Sequence, residues 1–294
     1  PPLLAQELDV IVVPVQVVRG GVHSDHGDFS DHQMYAQMMR SHALPPTVEP
    51  DPGVFERVFA RLSTQTDEVI SIHSASRGQC IYNAALQSKE LVRERCRIEV
   101  VDSGVFSMGC GLLVMAAARE AANGASLDHV VEAVRQSVPS IALRVFVDNL
   151  RHVVRGRHLP TPIGMLGAAL RKKPVLAMQD GALSLAEVKR TRRVAKQCLC
   201  DFVSGLGPVE EAAVMYTTTA DEAEAVAFHI REHFPRASIY VSRFGSWLGL
   251  HLGPGAIGVA ARTSEGAASR SRRTADRAAD ESPGLWARHW RKIA

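Results

Sequence analysis

The side chains whose type and spacing could do chemistry fall in short clusters. His251 stands in Leu250-His251-Leu252-Gly253-Pro254-Gly255, where an imidazole can give or take a proton and the glycines allow backbone to approach a bound molecule closely. A lone histidine is more often structural or surface-exposed, so the motif rather than the residue makes it a candidate. Ser71-Ile-His-Ser-Ala-Ser-Arg-Gly-Gln-Cys-Ile-Tyr82 supplies neutral donors in the Ser76 hydroxyl and the Gln79 amide. Thr47, in Pro46-Thr47-Val48-Glu49-Pro50, reads by itself as a turn hydroxyl between prolines. Asp148-Asn-Leu-Arg-His-Val-Val-Arg-Gly-Arg157 ends in arginines that suit either a phosphate or a solvated helix end. Lys189, Arg190, Arg192 and Arg193 form a charge run that reads as an exposed helical face, with Arg190 and Arg193 three apart and on one side.

Other chemistries are poorly served. His23, Asp25, His26, Asp28, Asp31 and His32 have the spacing of a polar loop, so no metal ligands are assigned. Glycines 104, 109 and 111 do not make a dinucleotide fingerprint, no phosphate-binding P-loop is present, and no G-x-S-x-G nucleophile elbow occurs. No catalytic residue is therefore assigned. The five cysteines (80, 96, 110, 198, 200) are odd in number and lack zinc-type spacing, which fits small core residues in a reducing cytoplasm. On a helix, Cys198 and Cys200 would point to different faces. A net charge of only +3, much of it in the tail beyond Arg262, leaves the body close to neutral and disfavours a nucleic-acid partner. No apolar run reaches the ~18 residues of a membrane span.

The elements that must position these groups follow from periodicity. Asp9–Val18 reads as a buried strand, 31–39 and 52–62 as short helices, and the second of these would be opened by Asp51 as cap with Pro52 in the first turn. Strands at 68–73 and 97–102 alternate with helices at 78–92, 107–122 and 126–138, the pattern of a parallel α/β layer. Such sheets bind ligands at the carboxyl ends of their strands, here His73-Ser74 and Asp102-Ser103-Gly104. From 139 an α+β pattern takes over: strands at 141–147, 173–178, 182–185, 212–217, 238–242 and 255–260, with a helix at 221–233. The expected organisation is an N-terminal parallel-sheet α/β domain (1–138), a C-terminal α+β domain (139–262) and a disordered tail (263–294) poor in large apolar residues.

The order and spacing of the Asp148–Arg157 stretch, Lys173-Pro-Val-Leu, Asp180-Gly181, Lys189-Arg-Thr-Arg-Arg193 and His251-Leu-Gly-Pro-Gly255 resemble the DegV-like fatty-acid-binding family. Its second domain has a D-x-L-x-x-L-x-x-G-G-R-I helix, a K-P-I-L strand, a D-G turn, a K-x-R-T helix start and an H-x-G-P-G loop. The resemblance covers about Leu8 to Ala260. It implies a long-chain fatty acid in a tunnel between the domains, with the carboxylate held by Thr47, Ser76, Gln79, His251 and the Gly253 N–H. Arg157 would then contact the head group or a phosphate, and Arg190 and Arg193 would help to dock a separate ATP-dependent fatty acid kinase. The protein would be a carrier in phospholipid synthesis, not an enzyme, needing no cofactor and no stable membrane insertion. Family members usually begin with a further strand, so the first strand is expected to be missing here.

Several positions depart from the family pattern: Gln79 replaces a carboxylate-binding serine, Cys80-Ile81 a Gly-Thr, Leu252 a threonine, and Arg155 the first glycine of the G-G-R pair. These leave open a degenerate paralogue without lipid. A phosphotransferase-related small-molecule protein of the same fold type is the other alternative, with His73 as its one candidate phosphoacceptor.

Overall fold

A computed structural model of the protein describes residues 1–13, 17–19, 22–24, 35, 52–75, 81–155, 172–179 and 181–264. Two sheets organise them. In the first half, β3 (Glu68–His73) and β4 (Arg97–Asp102) pair in parallel, with His73 opposite Asp102 at their carboxyl ends. In the second half a six-stranded sheet runs in the order β7 (Ala182–Lys189), β6 (Lys173–Gln179), β5 (Ile141–Phe146), β10 (Ile257–Thr263), β8 (Val209–Tyr216), β9 (Ser238–Arg243). All its pairings are antiparallel except β8 with β9. The expected mixed α/β fold is thus observed.

The helices stack as layers because each buries one apolar face. Phe55 and Phe59 of α2 (Pro52–Leu62) and Ala84 and Ala85 of α3 (Ile81–Lys89) pack with Ile98 and Val100 of β4. On the small sheet's other face lie α4 (Met108–Ala122) and α5 (Leu127–Ser137), the latter capped by Ser126, whose Oγ accepts the His129 N–H. Two further helices, α7 (Arg192–Ser204) and α8 (Ala220–His233), cover the far face of the large sheet through Leu199, Val203, Val226 and Ile230.

Helix α4 is shared by both sheets. Cys110, Leu113 and Ala117 belong to the core beside β4, whereas Met108, Leu112 and Met115 join Leu143, Val145 and Met215 of the large sheet. A helix apolar on both sides is stable only when covered on both sides. Polar bonds add to this contact: Arg119 donates to Glu211 Oε1 at 2.6 Å and to Tyr240 Oη at 3.1 Å.

Local expectations fared unequally. The strands at 68–73 and 97–102 occur as expected, and the helix at 52–62 matches α2. The long strand over 9–18 does not form: residues 10–13 carry no strand, and only β1 (Val17–Arg19) pairs, with β2 (Val22–Ser24) as an antiparallel hairpin. Pro14 within that run lacks the N–H a central strand must donate. Of the helix at 31–39 only Tyr35 is described, and it is helical; Asp51 lies outside the described residues, as does the tail from 265 onward. A short N-terminal helix, α1 (Pro2–Glu7), was not foreseen.

Candidate functional site

The His251 motif begins in a helix, not a loop as its glycines suggested. His251 occupies the last turn of α9 (Ser246–Leu252), is 8% exposed, and packs its ring against Trp247 at 4.5 Å between centroids. Gly253 ends the helix at φ +80, and a side chain there would run into the His152 ring of α6 (Arg151–Arg155). Its N–H, expected as a carboxylate donor, already bonds the Gly249 carbonyl at 2.8 Å. A ligand would have to compete with that bond, so what Gly253 supplies is a left-handed turn between α9 and β10.

The rest of the loop is held from several directions. Thr218 Oγ1 accepts the Gly255 N–H and Thr217 Oγ1 the Ala256 N–H, each at 2.9 Å. The Gly255 carbonyl receives Arg192 Nη1 at 2.8 Å. Gly255 has φ +79, and a Cβ on it would lie 2.7 Å from Asp148 Oδ2. Leu248 and Leu252 of α9 are buried in the core cluster that also contains Val153 of α6 and Ala75, with Trp247 packed against it. Ala75 immediately precedes Ser76, so the loop after β3 starts from the same core as the histidine helix. Tyr35, 3% exposed, brings its hydroxyl against Gly249, a position where no side chain fits.

At the carboxyl end of β3, His73 is 7% exposed and bonds Ser71 Oγ at 2.8 Å. Its ring meets Phe55 edge-on at 5.3 Å and Tyr82 at 6.4 Å. Burial lowers its pKa to about 4, against an opposing pull from Asp102. It therefore stands neutral near pH 7, wedged between aromatic rings.

Thr47, Ser76, Gln79 and Arg157 lie outside the described residues. Arg190 and Arg193 are both exposed, but they do not share a helix as expected. Thr191 is the N-cap of α7, its Oγ1 accepting the Val194 N–H, so Arg190 precedes the helix and Arg193 lies in its first turn. Arg192, between them, turns inward to Asp148 and Glu222. Lys189 pairs with Glu187. Cys198 and Cys200 are both buried, Cys198 with its thiol 3.3 Å from Glu187 Oε1, and burial raises both thiols, Cys200 to about 11. Such thiols are poor nucleophiles.

A family model described as "Uncharacterised protein, DegV family" matches residues 1–264. The chain belongs to the DegV family. A DegV domain-containing protein of Halalkalibacterium halodurans is 32% identical over 266 residues, covering 88% of this chain and 93% of the relative. Among solved structures, a DegV family protein from Thermus thermophilus, described as fatty acid binding, superposes with a TM-score of 0.80 at 24% identity, over 90% of this chain and 95% of its own. A stearic acid-binding protein from Eubacterium ventriosum gives 0.80 at 21%, over 89% and 94%. These likenesses establish the DegV two-domain fold. Among the described residues no helix is long and apolar enough to cross a membrane.

Sequence reasoning missed part of what surrounds His251. Trp247, His152, Asp148, Arg192 and the Thr217-Thr218 pair act on the His251 loop through space. Of these, Asp148 and His152 lie in the helix motif and Arg192 in the charge run, where it reads as exposed; Trp247, Thr217 and Thr218 carry no signal.

Proposed function

We propose that this DegV protein binds a long-chain fatty acid in a tunnel between domains 1–138 and 139–262, the carboxylate meeting Thr47, Ser76, Gln79 and His251. The observation that carries the reading is the buried, Trp247-stacked His251 at the end of α9, a helix whose Leu248 and Leu252 share a core cluster with Ala75, the residue that leads into Ser76. The family's solved members described as binding fatty acids support it. In energetic terms the chain supplies affinity, about 0.8 kcal/mol per buried CH₂ and on the order of 10 kcal/mol for a long acyl chain before ordering costs. The head-group donors mainly offset desolvation of the charge.

The protein would act as a carrier. It would present the carboxylate to a separate ATP-dependent kinase, with Arg157 near the acyl phosphate and Arg190 and Arg193 on the docking surface, and hand the product to phospholipid synthesis. Native mass spectrometry of protein purified from a bacterial host tests the binding step, because a tightly held lipid co-purifies. Protein free of lipid that also fails to take up stearate would end the reading.

A lipid-free paralogue is the second reading, favoured by Gln79, Cys80, Ile81 and Leu252 at positions where the resemblance calls for other residues. Gln79→Ser separates the two. Tighter stearate binding in the variant supports a working head-group loop, and unchanged or weaker binding indicates a repurposed one.

A further inference from the structure

Within the charge run of residues 189–193, the arginine with the most elaborate surroundings is the one facing inward. Arg192 Nε donates to Glu222 Oε2 at 2.7 Å and Nη2 to Thr219 Oγ1 at 3.0 Å. Its Nη1 donates both to Asp148 Oδ1 at 2.9 Å and to the Gly255 carbonyl at 2.8 Å. The guanidinium also stands 5.0 Å from the centroid of the Phe146 ring, at the end of β5. One planar group therefore joins the start of α8, the turn before α6 and the loop after His251. Only a rigid fork with several donors can do this; a lysine ammonium in the same place could satisfy one or two of these partners.

Neighbouring charges complete the network. Lys173 Nζ donates to Asp148 Oδ1 at 2.9 Å, and Lys196 pairs with Glu222 at 3.2 Å. Burial alone would raise the pKa of Glu222, yet the hydrogen bonds from Arg192 and Lys196 hold it below the usual carboxylate range. Each carboxylate is held by two cations, Asp148 by Arg192 and Lys173 and Glu222 by Arg192 and Lys196. The Gly255 carbonyl, with Thr218 fastening the adjoining amide, has little freedom to move.

We propose that Arg192 is a positioning residue for the His251 site: by locking the 253–256 loop to Asp148 and Glu222 it sets where α9 ends and how the His251 imidazole is presented. As a statement about ligand affinity this rests on the fatty-acid reading above; as a statement about geometry it does not. The loop has φ near +80 at both Gly253 and Gly255, and it depends on outside bonds to hold that shape.

The test uses the full chain and four variants: Arg192→Leu, Arg192→Lys, Gly255→Ala and the Arg192→Leu/Gly255→Ala double. Folding is checked by circular dichroism and melting. The positional readout is the NMR signal of the His251 ring, displaced by the ring current of Trp247 and assigned by its loss in His251→Asn. The functional readout is stearate affinity.

In folded Arg192→Leu the His251 signals should move toward their random-coil positions and stearate affinity should fall roughly ten- to hundredfold, the range for misplacing one hydrogen bond to a charged group. Arg192→Lys should recover only part of both. The double variant should displace the His251 signals no further than the worse single, because both changes release the same loop from its anchor. A folded Arg192→Leu with wild-type His251 signals overturns the proposal. If that variant does not fold, Arg192→Lys and Gly255→Ala decide by the same signals, and wild-type positions in both overturn it equally. Should the wild-type protein bind no stearate while the His251 signals respond as described, the fatty-acid reading fails and the positioning role stands.

Discussion

Lowering the pH from 6.5 to 4 should destabilise the protein at His73. Its imidazole is buried at the end of β3 between Phe55 and Tyr82, and burial lowers its pKa from 6.5 to about 4, outweighing the attraction of Asp102. In the unfolded chain the ring regains its ordinary value. Between pH 6.5 and 4 the unfolded state therefore takes up a proton that the folded state refuses, so stability is full above pH 6.5 and declines as the pH falls through this window. A displacement of that size corresponds to on the order of 3 kcal/mol once both limits are passed. That is a large share of the about 5–15 kcal/mol that holds a typical domain folded. Urea unfolding at half-unit steps from pH 7.5 to 4 measures the loss. The same series on His73→Gln, whose amide can still bond Ser71, subtracts the other histidines and the carboxylates. The difference between the two curves should open from pH 6.5 downward and approach its full size near pH 4. Parallel curves, or an NMR titration midpoint for His73 close to 6.5, would refute the reasoning.

Thr47→Ala and His251→Ala should each weaken stearate binding by roughly ten- to hundredfold, the loss of one hydrogen bond to a charged group, and titration calorimetry that finds both unchanged removes them from the site. Charge reversal at Arg190 and Arg193 should abolish acyl-phosphate formation in a reconstituted kinase assay, with a salt dependence of the wild-type rate to match, while leaving lipid affinity intact. Phosphorylation at the wild-type rate would exclude the docking role, and loss of lipid as well would make the run structural. Glu211→Gln leaves the Arg119 and Arg262 guanidiniums without the carboxylate they share, and should lower unfolding free energy by about 2–3 kcal/mol, toward the low side for a broken buried pair because Arg119 is 42% exposed. Burial by itself would raise the Glu211 pKa, but Arg119 and Arg262 hold it below its ordinary 4.5, so the wild type should lose this contribution only as the pH falls below that value. A melting temperature equal to wild type at pH 7 would show the pair to be neutral.

Local pattern was enough for the strands at 68–73 and 97–102 and for the helix at 52–62, because each satisfies its own period and carries its own boundary residues. The motif series from Asp148 to Gly255 was likewise sufficient to name the DegV family, since spacing between motifs survives where individual residues change. The same pattern misjudged 9–18, where apolar content outweighed Pro14, and it drew His251 into a loop because two glycines hid the helix that ends at the first of them. Three features were decided by tertiary structure alone. Helix α4 reads as one more helix of the first half, yet its two apolar sides serve two sheets, and sequence does not say which surface covers which face. Arg190, Arg192 and Arg193 are chemically alike in the chain; the N-cap at Thr191 turns the middle one inward, to carboxylates 44 and 30 residues away. His73 and His251 are both buried, one among aromatic rings beside a parallel strand pair and the other against Trp247 at a helix end. Composition is blind to that difference, because what sets a side chain's chemistry is the desolvation and the partners that folding brings around it.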